Sequence, residues 1–128
     1  MGYRIVIVDD EAELLEILLY ELKRLKPEWE LFSYNLAYQA KMKIMQGEID
    51  LLLTDIAMPD MNGFELFAAV HDYNPELPVI MMTGFGYDPD HNVVNSKKLG
   101  LQDVMFKPLD PELLVEKISK RIEQAKNN

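Results

Sequence analysis

Residues 50–63, DLLLTDIAMPDMNG, constrain the fold more than any other stretch of the chain. Three leucines and a threonine run into one carboxylate, Asp55, and the chain then turns through Met58, Pro59, Asn62 and Gly63. An apolar run this short, bounded by turn residues, reads as a strand buried on both faces, as at the centre of a parallel sheet. Asp55 then stands at the strand's carboxyl end, the edge at which open α/β sheets bind ligands. Taken alone, Asp55 reads equally well as a turn aspartate capping the next helix. The other strand ends separate these readings.

Residues 3–8 form an Ile- and Val-rich strand that stops at Asp9-Asp10. Leu14, Leu15, Leu18, Leu22 and Leu25 then recur at helical spacing, with Pro27 marking the exit. Asp10 and Glu13 have the spacing of a capping pair. Residues 29–34 read as a second strand and residues 36–45 as a helix stopped by Gly47. After the central strand, a helix over residues 64–73 leads to a strand at 78–83, PVIMMT. Turn-rich residues 84–92 precede a short helix ending at Leu99-Gly100 and a fifth strand at 104–106. Asp110-Pro111-Glu112 opens the last helix, with Asp as cap and Pro at the first helical position. Five strands alternating with five helices predict right-handed βαβ units and a doubly wound parallel sheet of the α/β class.

The chain has 128 residues, 48% of them hydrophobic, and is expected to form one domain over residues 1–128 with a fraying polar tail at 124–128. It lacks cysteine, which excludes disulfides, thiolate nucleophiles and Cys-based zinc sites. A formal charge of −9 argues against a nucleic-acid or anionic-membrane surface. No span reaches the roughly 18–20 apolar residues that cross a bilayer, so a cytoplasmic protein is expected.

Read to their ends, four of the five strands stop on polar chemistry: Asp9-Asp10, Asp55, Thr83 and Lys107. A parallel sheet places all of these on one edge. Two full negative charges 4 Å apart repel by about 4 kcal/mol at an effective dielectric of 20, so clustered carboxylates need cations. Lys107 supplies one, and the remaining deficit suits a hard divalent ion with oxygen ligands, for which Mg2+ is the natural choice. Such a pocket receives a phosphoryl group: Lys107 neutralises its oxygens, Thr83 donates a hydrogen bond, and one carboxylate is free to attack phosphorus.

On these residues the chain resembles the receiver domain of two-component response regulators, of the chemotaxis-regulator type, over essentially its whole length. The matching motifs are the acidic pair in IVIVDDE, Asp55 with Met58-Pro59 and Gly63, Thr83 in VIMMTG, and Lys107-Pro108. The resemblance implies a flavodoxin-like (βα)5 fold with strand order 2-1-3-4-5. It implies that Asp55 accepts a phosphoryl group from a histidine kinase or histidine phosphotransfer protein. Asp10, Asp55 and the main-chain carbonyl of Ala57 would ligate Mg2+ directly and Asp9 through water, Lys107 would pair with the phosphoryl group, and the Lys107-Pro108 bond would be cis, as is common in the family. The downstream partner, an output domain or a separate protein, is not identified by these motifs, and a homodimer is compatible with them.

The chain departs from the family at Val104, where receivers carry an aromatic residue that rotates as the threonine moves. Phe106 and Phe85 are the nearby rings that could substitute. The segment between Thr83 and Lys107 is also about two residues longer than the common pattern, with residues 87–91 inserted. That insertion reads either as a tolerated loop or as a partner contact built on Tyr87 and His91. The resemblance also implies that the residues two after Asp55 and two after Thr83, Ala57 and Phe85, tune the lifetime of the phosphorylated state. Ala57 offers no side-chain amide or acid to position an attacking water, so slow self-dephosphorylation is expected. A phosphatase of the haloacid dehalogenase class would need an acid at Ala57. A nucleotide or flavin carrier would need a Gly-rich phosphate loop where Asp-Asp-Glu stands. A receiver-like interaction module that is not phosphorylated is the remaining alternative.

Overall fold

The computed structural model describes residues 2–84 and 103–127. Its sheet contains β1 (Arg4–Val8), β2 (Glu30–Tyr34), β3 (Leu51–Asp55), β4 (Val79–Thr83) and β5 (Asp103–Phe106), in order β2-β1-β3-β4-β5. All four pairings are parallel. The helices are α1 (Ala12–Leu25), α2 (Ala37–Met45), α3 (Gly63–Tyr73) and α4 (Pro111–Lys126).

The central strands carry unbroken apolar runs because each face of the sheet is covered. Ile5, Ile7, Leu51, Leu53, Ile80 and Met82 point toward α1 and α4, where they meet Leu15, Leu18, Leu22, Leu114, Ile118 and Ile122. Their neighbours Val6, Val8, Leu52, Val79 and Met81 point the other way, onto Ala37, Ala40, Ile44, Leu66, Phe67 and Val70 of α2 and α3. Successive side chains on opposite faces, both buried, are the pattern that distinguishes a parallel sheet from a half-solvated one.

Helix ends show where local rules held and where packing replaced them. Asp110 caps α4 as expected, accepting N–H bonds from Glu112 and Leu113, with Pro111 in the first turn. The helix runs on through Gln124 to Lys126, whose ammonium meets Asp50 at 3.3 Å, so these residues are helical where a tail was expected. At α3, Asn62 and Glu65 form a reciprocal capping box, starting the helix one residue before the expected Phe64. The expected Asp10–Glu13 pair does not form: Glu11 is the cap residue of α1 and makes no side-chain cap bond. Asp9 instead accepts the Glu11 N–H at 2.9 Å, which turns the chain from β1 into the helix. Gly47 stops α2 with φ of 90°. The expected helix before Leu99-Gly100, and Phe85, Tyr87 and His91, lie outside the described residues.

Candidate functional site

Register places the polar strand ends on one edge. Val8 lies opposite Thr54, Asp55 opposite Met82, and Thr83 opposite Phe106, so Asp9, Asp55, Thr83 and Lys107 emerge side by side. Asp9, Asp55 and Thr83 are buried, whereas Asp10 and Glu11 are exposed. Asp10, Asp55, Ala57 and Thr83 line an open cleft of about 290 Å³ together with Glu11, Ile56 and Gly84.

Lys107 reaches into the acids. Its Nζ lies 2.9 Å from Asp9 Oδ2, 3.2 Å from Glu11 Oε1 and 3.3 Å from Asp55 Oδ2. The Lys107-Pro108 bond is cis. Burial opposes the ammonium charge, but the Asp9 hydrogen bond and the charges of Asp55 and Asp9 outweigh it and hold the Lys107 pKa above its ordinary value. Asp55 Oδ1 accepts the Ile56 N–H at 2.8 Å, leaving Oδ2 toward Lys107. The Thr83 hydroxyl donates a long bond, 3.4 Å, to the Gly84 carbonyl, while the Thr83 carbonyl accepts the Lys107 N–H at 2.8 Å.

Burial raises the Asp55 pKa to about 6, with Asp9 adding to the rise and Lys107 opposing it. A raised folded-state pKa means that the contribution of Asp55 to stability is complete below its ordinary pKa of 3.8 and is lost as pH rises through about 6. Metal-free Asp55→Asn should therefore be more stable than the parent at pH 7.5, by about 1–2 kcal/mol, with the gap closing by about pH 4. Urea denaturation at both pH values, in the presence of a chelator, measures this. A gap that is absent at pH 7.5 or unchanged at pH 4 would show that burial does not govern Asp55.

Oxygen atoms of Asp9, Asp10, Glu11 and Asp55 all lie within 4.8 Å of one another. Four carboxylates against one ammonium leave a net negative site with hard oxygen donors, a set that fits a small divalent cation keeping part of its water shell. Glu11 belongs to this cluster and was not among the expected ligands, although its place after Asp9-Asp10 was a signal. Asp103 also escaped the sequence reading. It anchors β5 to α4 through Arg121 and Lys117, the latter at 3.4 Å. Burial raises its pKa, but the Arg121 hydrogen bond and charge prevail and hold it below the ordinary value.

The residues expected to relay a signal are less gathered. Val104 is half-buried against the cluster under α2 and α3, and Phe106 is 61% exposed. The leucine stripe of α1 divides: Leu15, Leu18 and Leu22 enter the core, whereas Leu14 and Ile17 remain exposed. Leu14 and Ile17 line an apolar groove of about 440 Å³ that continues over Pro108 and Leu109, with Lys107 and Glu11 at its inner end.

A parallel sheet of order 2-1-3-4-5, wound on both faces and gathering acids and a lysine at its carboxyl edge, defines the flavodoxin-like class. Within that class the chain belongs to the response regulator receiver domain family, whose family model matches residues 5–119. A response regulator receiver domain protein (CheY-like) from Methanospirillum hungatei JF-1 superposes with a TM-score of 0.88 at 31% identity, covering 99% of this chain and 98% of that one. Transcriptional regulatory protein GlrR of Escherichia coli (strain K12) is 27% identical over 94% of this chain and 26% of its own length. The 3',5'-cyclic-nucleotide phosphodiesterase regA of Dictyostelium discoideum is 33% identical over 90% of this chain and 15% of its own. The chain thus spans about a quarter or less of these two relatives.

It is a receiver domain of two-component systems, a family of signalling modules that histidine kinases phosphorylate and that generally bind Mg2+ at an acidic pocket. No helix among the described residues is long and apolar enough to cross a membrane.

Proposed function

We propose that this chain is a phosphoacceptor switch in which Asp55 takes a phosphoryl group from a phosphohistidine of a histidine kinase or histidine phosphotransfer protein. The observation that carries this reading is the buried Asp55 carboxylate lining the cleft, one oxygen held by the Ile56 N–H and the other facing Lys107. An Asp55 oxygen forms the new O–P bond as the donor's N–P bond breaks, and the imidazole leaves with the bonding pair. Asp10, Asp55 and the Ala57 carbonyl would hold Mg2+, with Asp9 acting through water, and the ion would supply charge that favours ionised Asp55 and offsets the phosphoryl oxygens. Lys107 exchanges its Asp55 contact for a phosphoryl oxygen. The Thr83 hydroxyl gives up its long bond to Gly84 and donates to another.

That movement is proposed to alter the surface carrying Val104, Phe106 and Tyr87, without the ring that the family usually places at Val104. The groove beside Leu14 and Ile17 would seat the donor. The chain assists its own phosphorylation and dephosphorylation and catalyses no other reaction. A cytoplasmic setting, no direct nucleic-acid contact, a downstream protein or output domain as reader and a possible homodimer complete the reading.

Intact mass after incubation with acetyl phosphate, with and without Mg2+, tests it. The parent should gain a single phosphoryl group only with Mg2+, and Asp55→Asn should gain none. A folded parent that gains nothing would favour an interaction module independent of phosphorylation, and normal labelling of Asp55→Asn would show the acceptor to be elsewhere.

A further inference from the structure

Helix α2 starts without a cap of its own. Its cap residue is Leu36, whose side chain accepts no hydrogen bond, and its first turn has no acidic residue. The first N–H groups of a helix need acceptors and favour negative charge. Here both come from another element. Asp60, in the loop after β3, accepts the N–H of Ala37 at 3.1 Å and of Tyr38 at 2.9 Å, across 23 and 22 residues.

The anchor is firm, because Ala37, Ala40 and Ile44 bury the inner face of α2 against the sheet and α3. The tethered loop is the one that brings Ala57 to the cleft, followed by the Met58-Pro59 turn. Its other fastenings include a contact of the Thr54 hydroxyl with the Met58 sulfur at 3.8 Å, the packing of Met58 and Met61 on the core, and two bonds at its ends. Near the start, the Thr54 hydroxyl donates to the Asp55 carbonyl at 2.9 Å. At the far end, the Gly63 N–H donates to the Ile56 carbonyl at 2.7 Å. Asp60 ties the span between them to α2.

We propose that Asp60 is a positioning residue for the cation site, fixing the Ala57 carbonyl by clamping the phosphoacceptor loop to the N-terminus of α2. The inference rests on the proposed function, because it assigns the Ala57 carbonyl to the cation. An outer partner that orients a ligand typically contributes tenfold or more to metal affinity. Asp60→Ala should weaken binding of Mn2+, used as a probe for Mg2+, by about tenfold. Acetyl phosphate labelling should then be slow at limiting Mg2+ and recover at saturating Mg2+. Asp60→Asn, which keeps one acceptor oxygen, should fall between Ala and the parent.

A purely capping role is separated by Leu36→Asp, which gives α2 a local cap without any tie to the loop. In Asp60→Ala/Leu36→Asp, the thermal midpoint should return toward the parent while Mn2+ affinity, read by electron paramagnetic resonance titration of the full chain, stays low. Parent-like Mn2+ affinity in folded Asp60→Ala or Asp60→Asn would overturn the inference, as would recovery of affinity together with stability in the double variant. A parent that binds Mn2+ but takes no phosphoryl group would instead overturn the proposed function, leaving the affinity comparison to judge Asp60. A parent that binds no Mn2+ would overturn both.

Discussion

Lys107→Met is expected to destabilise the metal-free protein by about 3 kcal/mol at pH 8, the lower end of what breaking a buried ion pair costs. Methionine keeps most of the apolar stem that lines the groove beside Pro108 and Leu109 but removes the charge. What remains is a set of carboxylates with no counter-ion: Asp9 and Asp55, only 3% and 7% exposed at the side chain, and Glu11 at the rim. The lower end of the range is appropriate because Glu11, 55% exposed, is largely hydrated already.

The pH dependence has a definite sign. Lys107 has a raised folded-state pKa, so its stabilising contribution is complete below its ordinary value of 10.5 and fades only at higher pH. From neutrality to pH 9 the variant should therefore show the full cost. Without Lys107 to lower it, the Asp55 pKa rises above the parent's value of about 6, so the gap should narrow as pH falls and Asp55 takes up its proton. Added Mg2+ should narrow it as well, by replacing the lost charge, and some labelling by acetyl phosphate should survive. Urea denaturation across this pH range is the measurement. A cost independent of pH and of Mg2+ would mean that Lys107 acts by packing.

Gly63→Ala is the second large effect. On helix propensity alone the change should be favourable, since alanine exceeds glycine by about 1 kcal/mol in helix interiors. The structure reverses the sign. A Cβ at Gly63 would stand 2.5 Å from the Asp55 carbonyl oxygen and 3.0 Å from the Ile56 Cα, both backbone atoms at the root of the cleft. Neither can swing aside as a side chain could, so α3 or the end of β3 must shift, at a cost of about 2–3 kcal/mol. The displaced peptide holds the Asp55 carboxylate through the Ile56 N–H, so phosphoryl labelling should fall with stability. A variant as stable as the parent in urea and labelled at the same rate would show that the approach of α3 to β3 is not a constraint.

The glycine also shows how far a linear reading reaches. Asp55, Met58-Pro59 and Gly63 were recognisable as a strand end and a turn because each depends on residues a few positions apart. The convergence of Asp9, Asp10, Asp55, Thr83 and Lys107 was legible for a different reason. Parallel strands all end on one edge, so a polar residue closing each apolar run has one place to go, whatever the angles between elements. The strand order followed only from the resemblance to receivers, because apolar runs do not reveal which strand pairs with which.

Among the described residues, periodicity and spacing alone determined the elements, the two-sided burial of the central strands and the edge on which the chemistry collects. Tertiary structure decided the rest. Only packing brings Asp60 to the N–H groups of α2, Glu11 to the ammonium of Lys107 and Arg121 to Asp103, and only packing displaced the expected Asp10–Glu13 cap in favour of an Asp9 turn. Each such contact joins side chains or loops whose approach depends on how helices seat against the sheet, to within the ångström that separates a hydrogen bond from none. Burial is of the same kind: a carboxylate at a strand end can be wet or dry, and the pKa of Asp55 is raised because the helices and loops around it exclude water.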